Sequence, residues 1–117
     1  MEKIKSMSLL VSLTVAFCLV AGSAAFADCS SKNNTCYGKV TRVYVSGGTL
    51  YIGTDGDEAQ LNCTSPAGVY VTIPTSDSMF DAKYATLLTA MSLGKKVGLR
   101  IVDNDANCKV SYIYMDN

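Results

Sequence analysis

The sequence predicts a small, mainly β domain that contains one helix, with the element order β-β-β-α-β-β. Three observations support this fold class. Runs rich in β-branched and aromatic residues recur between turn-forming residues, a pattern typical of strands. One segment, residues 78–93, has apolar residues at helical spacing. Four cysteines remain after a predicted export signal, and an even number in an exported domain indicates disulfides.

The first 27 residues have the order of a signal peptide. Lys3 and Lys5 precede an apolar run over residues 7–20, and Ala25 and Ala27 supply the small residues that a signal peptidase recognises. Because the apolar run is shorter than the about 20 residues needed to cross a bilayer, a cleaved signal is favoured over a membrane anchor. We expect one domain over residues 28–117, secreted or periplasmic, with no membrane span after processing.

Three strands are predicted before the helix. The first covers residues 37–46, and Gly47-Gly48 provides a two-residue turn into the second, residues 49–54. A short segment that contains Cys63 follows. A Ser-Pro-Ala-Gly turn then leads into the third strand, residues 69–73.

The predicted helix covers residues 78–93. Ser76, Asp77 or Ser78 is expected to accept hydrogen bonds from its first N–H groups, and Gly94 is expected to end it in the left-handed conformation. The apolar face expected to pack against the sheet consists of Phe80, Tyr84, Leu87, Leu88 and Met91.

Two further strands are predicted after the helix, over residues 96–102 and 108–115. A helix between the third and fourth of five strands is the layout of the OB barrel, which binds oligonucleotides or oligosaccharides. Other small α+β folds share this order. In the barrel the third and fifth strands are neighbours, and Cys63 and Cys108 lie just before them.

The four mature cysteines allow three disulfide pairings. We favour Cys29 with Cys36, which are close in sequence, and Cys63 with Cys108, which precede neighbouring strands of the barrel. A zinc site is not expected, because the paired C-x(2–4)-C spacing of such sites is absent.

No catalytic site and no cofactor are predicted. The chain has no histidine, and its mature cysteines are expected to be oxidised, which removes the commonest bases and nucleophiles. Two acidic loops could supply paired acids or calcium ligands, Asp55 to Glu58 and Asp103 to Asp105. Their acidic residues lie beside Gly and Asn as ordinary turn formers do, and neither loop has the spacing of a calcium loop. We therefore predict that the protein is not an enzyme.

Tyrosines are the candidate ligand-binding residues. Six of the seven lie in or beside predicted strands, and the four candidates are Tyr37, Tyr44, Tyr51 and Tyr70. A tyrosine ring can stack on a sugar and donate a hydrogen bond, or it can anchor a protein interface. The alternative is strand propensity, because tyrosine suits a half-buried sheet surface.

The back of the predicted helix is a candidate surface for self-association. It carries small or uncharged residues, namely Ala82, Ala85, Thr86, Thr89 and Leu93. Solvated helix faces are normally richer in charge, so this face could pack against a neighbouring helix. The alternative is that Ala and Thr are tolerated on any surface.

Four segments, in the same order, carry a resemblance to a known group of proteins: YGKVTRVYV, TLYIGT, FDAKYATLLTAMSLGKKVGLRIV and CKVSYIYM. The chain resembles the binding subunits of subtilase-cytotoxin and pertussis-type toxins, and related small secreted bacterial proteins. The resemblance implies an OB barrel, a ring-shaped oligomer and glycan recognition. The toxins bind sialic acid through a serine and an aromatic residue, but the nearest positions here are Tyr37 and Met91. The sialic-acid pocket therefore does not carry over.

These observations predict a secreted or periplasmic binding module for a glycan or protein ligand, for which a toxin-like homo-oligomer and a monomer both stay open. The alternative is a small periplasmic protein with a structural or inhibitory role. The mature chain has eight basic and nine acidic residues, and this near-neutral charge gives no indication of nucleic-acid binding.

Overall fold

Six strands and one α-helix form residues 27–117, the part of the chain that the computed structural model describes. The predicted signal peptide lies outside this part except for Ala27. The elements are β1 (Asp28–Ser30), β2 (Thr35–Ser46), β3 (Thr49–Thr54), β4 (Val71–Pro74), α1 (Phe80–Leu93), β5 (Lys96–Ile101) and β6 (Val110–Met115). Single 3-10 turns occur at Glu58–Gln60 and Pro66–Gly68. The predicted fold class is confirmed, and β1 is an additional strand that the sequence analysis did not include.

Strand β2 belongs to both halves of the sheet. Its first half pairs antiparallel with β1 and β5. Its second half, from Val40, pairs with β3, with a register shift between Val40 and Arg42. The strand order is β4-β3-β2-β5-β6. The two ends of this order meet at one parallel bridge, between Thr72 and Lys109. This connectivity is that of an OB-like barrel, with β1 added along β2.

The seam between β4 and the start of β6 combines hydrogen bonds and a disulfide. Thr72 donates its N–H to the Cys108 carbonyl (3.0 Å) and its hydroxyl to the Asn107 carbonyl (2.8 Å). The Cys63–Cys108 disulfide ties the segment before β4 to the residue before Lys109, with Cα atoms 5.1 Å apart. The second disulfide, Cys29–Cys36, joins directly opposite residues of β1 and β2. Both predicted pairings are therefore confirmed.

The core consists of alternate strand residues that point into the barrel. Alternation places every second side chain of a strand on one face of the sheet. The fully buried strand residues include Leu50, Ile52, Val71, Ile73, Val97 and Leu99. Within residues 27–117, no helix is both long and apolar enough to cross a membrane.

Helix α1 covers the core with part of the predicted face, because Phe80, Tyr84 and Leu87 pack against the core as expected. Leu87 and Ala90 are completely buried, whereas Leu88 and Met91 are each 40% exposed. The prediction that Leu88 and Met91 face the core is therefore wrong. Apolar residues occur around much of the helix, so their spacing did not define its rotation, and the small Ala90 is accommodated where the helix meets the sheet.

The ends of α1 agree with part of the prediction. The helix begins at Phe80, two residues later than predicted, and Met79 occupies the N-cap position without a side-chain hydrogen bond. Asp77 Oδ1 accepts the Met79 N–H at 2.8 Å, so its carboxylate stabilises the approach to the helix. Gly94 ends the helix in the left-handed conformation at φ 63°, as predicted.

A buried asparagine joins three loops beside the barrel. Asn34 is 1% exposed, and its Oδ1 accepts the Asn62 N–H at 2.8 Å. Its Nδ2 donates to the Ile101 carbonyl at 3.2 Å and to Asp103 Oδ1 at 2.9 Å. The turn between β1 and β2 is thereby connected to the Cys63 segment and to the loop after β5.

Candidate ligand-binding surface

Tyr44 and Tyr51 form a stacked pair on the outside of the barrel. They are directly opposite in the β2–β3 ladder. The next pair along the ladder, Val43 and Ile52, points toward the core, so the tyrosine rings point away from it. The ring centroids are 4.8 Å apart and the planes differ by 10°.

Tyr70 completes the cluster from the turn that precedes β4. Its N–H donates to Ser65 Oγ at 3.1 Å, and the Ser65 hydroxyl donates to the Tyr70 carbonyl at 2.7 Å, which fixes its backbone. Its ring lies 3.5 Å from the position that a Cβ at Gly53 would occupy. The Tyr70 ring is nearly perpendicular to those of Tyr44 and Tyr51, at centroid distances of 5.4 and 6.1 Å.

Arg42 adds a positive charge to this cluster. Its Nη1 donates to the Tyr70 hydroxyl at 3.1 Å, and it lies two residues before Tyr44 on the same strand. We call Arg42, Tyr44, Tyr51 and Tyr70 the tyrosine surface. It combines three aromatic rings with phenol and guanidinium hydrogen-bonding groups.

Two groups of the tyrosine surface, Tyr44 and Arg42, have raised pKa values. Desolvation, and then the charges of Tyr70 and Tyr51, raise the pKa of the Tyr44 phenol above its ordinary value. The hydrogen bond to Tyr70 raises the pKa of Arg42. At physiological pH the Tyr44 phenol is therefore neutral and the guanidinium is charged.

A polar cleft of about 280 Å3 adjoins the tyrosine surface at Tyr51. It lies between β3, β4 and the loop that joins β5 to β6. The residues that line it are Thr49, Tyr51, Thr72, Pro74, Asp105, Asn107 and Lys109. Asp105 Oδ2 accepts the N–H groups of Asn107 and Lys109, each at 2.9 Å, and so holds this side of the cleft in place. Negatively and positively charged hydrogen-bonding groups, Asp105 and Lys109, thus line the same cleft as Tyr51.

Tyr37, the fourth predicted tyrosine, lies elsewhere. Its ring stacks on Tyr114, with centroids 6.2 Å apart, and the Lys96 ammonium lies 5.7 Å from its centroid. The Tyr114 ring lies over Gly98, where a Cβ would overlap it. The structure therefore brings together three of the four predicted tyrosines and places Tyr37 over the β2–β5–β6 half of the sheet.

Arg42, Asn107 and Lys109 were not among the predicted binding residues, and Asp105 was considered only as a catalytic or calcium-binding group. Arg42 could have been found, because residues two apart in a strand share a face and Tyr44 was already a candidate. The contribution of Asp105, Asn107 and Lys109 depends on how the β5–β6 loop reaches β3 and β4, which no local pattern indicates.

The residues predicted to form an oligomer interface lie on the outer part of α1. Thr89 is exposed and Leu93 is 61% exposed, whereas Ala82 and Thr86 line a separate cleft beside β6. The hydroxyls of Thr86 and Thr89 donate to carbonyls one turn earlier, at 2.9 and 2.8 Å.

The acidic residues considered as catalytic or calcium-binding groups stabilise turns. Asp55 Oδ1 accepts the Lys39 N–H at 2.8 Å, and Asp57 Oδ1 accepts the Ala59 N–H at 3.1 Å. Glu58 is buried and accepts the Thr54 N–H at 2.7 Å. Across residues 27–117, no three His, Cys, Asp or Glu side chains are grouped to hold a metal ion.

No protein-family model, no curated protein and no solved structure matches this chain.

Proposed function

We propose that this chain matures to a secreted or periplasmic binding module whose tyrosine surface and polar cleft recognise a glycan. The convergence of Tyr44, Tyr51 and Tyr70 beside the cleft carries the proposal. Aromatic rings provide apolar faces against which a sugar ring can stack, and phenol hydroxyls form hydrogen bonds at its edge. Carboxylate, amide and ammonium groups in the cleft would bind sugar hydroxyls.

The position of this surface on the barrel supports the proposal. Ligands of OB barrels commonly bind across the second and third strands and the loop between the fourth and fifth. In this chain those strands are β3 and β4, and that loop contains Asp105 and Asn107. Tyr51, Tyr70 and the polar cleft lie at this place, and Arg42 and Tyr44 adjoin it from β2.

Export is supported by the two disulfides. Disulfides form and persist in oxidising compartments such as the bacterial periplasm and the extracellular space. They agree with the signal-peptide pattern of the first 27 residues.

A protein ligand is the second candidate, which would correspond to an inhibitory role. Tyrosine and arginine are the residue types enriched at the centres of protein interfaces, and Arg42, Tyr44 and Tyr70 are clustered here. An inhibitor would bind one protein stoichiometrically, whereas a glycan-binding module would bind immobilised sugars.

Assembly into a toxin-like oligomer remains part of the proposal. The exposed positions Thr89 and Leu93 would pack against the helix of a neighbouring copy. Sedimentation of the oxidised domain should then show an oligomer that Thr89→Glu dissociates without loss of fold. A concentration-independent monomer would remove the oligomer from the proposal.

A glycan array probed with the oxidised mature domain tests the proposed function. We expect a small set of related glycans to bind the wild type and the Tyr37→Ala variant, but not the Tyr51→Ala variant. Tyr37 is the matched control because it is a strand tyrosine outside the tyrosine surface. Absence of binding to any glycan, with stoichiometric binding to one protein instead, would favour the inhibitory role.

A further inference from the structure

Strand β6 has one unpaired edge. It pairs with β5 on one side, and on the other side the parallel bridge at Lys109 lies just before the strand begins. Within residues 27–117, no strand covers this edge from Val110 to Met115. Alternate residues of an edge strand direct their N–H and C=O groups away from the sheet. The Val110 carbonyl does so, because it accepts a hydrogen bond from Lys83 Nζ at 3.5 Å.

The sequence of β6 leaves this edge unprotected. Natural edge strands are commonly shielded by charged residues, proline or strong bulges. The strand VSYIYM contains no charged residue and no proline, and charges occur only at the flanking Lys109 and Asp116. Its Tyr112 is 54% exposed.

A cleft of about 510 Å3 lies along the unpaired edge, between β6 and the first half of α1. One side is formed by Ser111, Tyr112 and Ile113, and the opposite side includes Ala82 and Thr86. Neighbouring strands lie about 4.8 Å apart. An extended chain added at this spacing beyond β6 would enter this cleft. We call it the edge cleft.

We propose that the edge cleft binds an extended peptide segment of a partner protein, which adds as a strand to β6. The unpaired backbone groups of β6 match those of another extended chain, and such strand addition is a recurring mode of peptide recognition. This site is separate from the tyrosine surface and does not depend on the proposed glycan function.

The charges of the edge cleft indicate the net charge of the peptide that it would bind. Lys83 and Asp77 both line it and form an ion pair at 2.7 Å, so each neutralises the other. The exposed apolar side chains are Met79 and Tyr112, at 57% and 54% exposure. The cleft therefore fits a peptide of low net charge, with an apolar side chain at one or more alternate positions.

The test begins with selection from a phage-displayed library of short random peptides on the oxidised mature domain. Ala82→Tyr fills the edge cleft from the helix without altering β6, and Ser92→Tyr, at the exposed far end of the same helix, is the control. Selected synthetic peptides should bind wild type and Ser92→Tyr alike, and Ala82→Tyr about tenfold or more weakly. Selection of no peptide above background, or equal binding to both variants, would overturn the proposal.

A second measurement distinguishes strand addition from simple apolar binding. A strand directs successive N–H groups to opposite edges. N-methylation at alternate positions of the peptide should therefore weaken binding in one set of positions and leave the other set nearly unchanged. NMR shift changes should centre on Ser111 to Ile113. Equal effects of both methylation sets, or shift changes centred on Tyr51 and Tyr70 instead, would contradict strand addition.

Discussion

Asn34 shows how one polar side chain can organise several loops. It adopts a positive φ of 46°, a conformation that Asn tolerates better than most residues. Its side-chain amide forms hydrogen bonds with Asn62, Ile101 and Asp103, which belong to two segments distant in sequence. This role of Asn34 could not be predicted from sequence, because the neighbouring Asn33 is the same residue type and yet is exposed.

Asn34 and Asn33 should therefore differ in what they contribute to stability. Asn34→Ala leaves the Asn62 N–H and the buried Ile101 carbonyl without their Asn34 partner and should lower the free energy of unfolding by about 1 to 3 kcal/mol. Asn33→Ala should change it by less than about 0.5 kcal/mol, because that side chain is exposed. Urea denaturation of both variants measures the difference. Similar values for the two variants would show that the Asn34 bonds contribute little.

Asp77 makes the stability of the domain depend on pH. The hydrogen bond from Lys83, and then that from the Met79 N–H, hold the pKa of its carboxyl below the ordinary value of 3.8. Because the pKa of Asp77 is lower in the folded protein than in the unfolded chain, the ionised carboxylate stabilises the fold. This stabilisation is complete above the pKa of the unfolded chain and is lost as the pH falls through the pKa of the folded protein. Asp77→Asn should remove that part of the pH dependence.

The size of the Asp77 contribution should be modest. The pair lies near the surface, with side-chain exposures of 14% and 17%, so about 1 kcal/mol or less is expected. Urea titrations at about pH 6 and about pH 3 should show a larger loss in the wild type than in Asp77→Asn. Equal losses would mean that other carboxyl groups account for acid sensitivity.

At the scale of elements, the rotation of α1 is the feature to test. Leu87 is completely buried and Leu88 is 40% exposed, although they are adjacent and identical in type. Leu87→Ala should lower the free energy of unfolding by about 2 to 4 kcal/mol because it leaves a cavity, and Leu88→Ala by less than about 1 kcal/mol. Thermal or urea unfolding of the two variants measures the difference. The reverse order would show that Leu88, rather than Leu87, packs against the core.

The two disulfides should contribute unequally to stability. In the chain-entropy model, the crosslink between residues 45 apart is worth about 4 kcal/mol and the one between residues 7 apart about 2 kcal/mol. Replacing Cys63 and Cys108 together by Ser should therefore destabilise the domain more than replacing Cys29 and Cys36. Urea denaturation of the two double variants compares them. A larger loss of stability on replacing Cys29 and Cys36 would show that the pairing of β1 with β2, rather than the length of the closed loop, determines what a disulfide contributes.

The elements differ in how far the sequence predicts them. The strands from β2 to β6 were predictable because each has β-branched or aromatic residues between turn formers. β1 was not, since its three residues have no alternation and its place depends on pairing with β2. The rotation of α1 depends on the fit of Ala90 against the barrel, which the spacing of larger apolar residues did not reveal.

At the scale of the whole molecule, the barrel determines which tyrosines meet. Tyr37 and Tyr44 belong to the same strand, yet β2 passes from one half of the barrel to the other between them. Tyr44 therefore meets Tyr51 and Tyr70, whereas Tyr37 meets Tyr114. The candidate residue types could be named from sequence, but their grouping required the closed sheet.

The most direct test of the proposed binding function is an NMR titration of the oxidised mature domain with a glycan identified on the array. The proposal predicts that backbone and ring shifts change at Tyr44, Tyr51 and Tyr70 and along the loop that contains Asp105 and Asn107. The signals of Tyr37 and Tyr114 should stay unchanged and serve as the internal control. Shift changes centred on Tyr37 and Tyr114, with the tyrosine surface unaffected, would contradict the proposal.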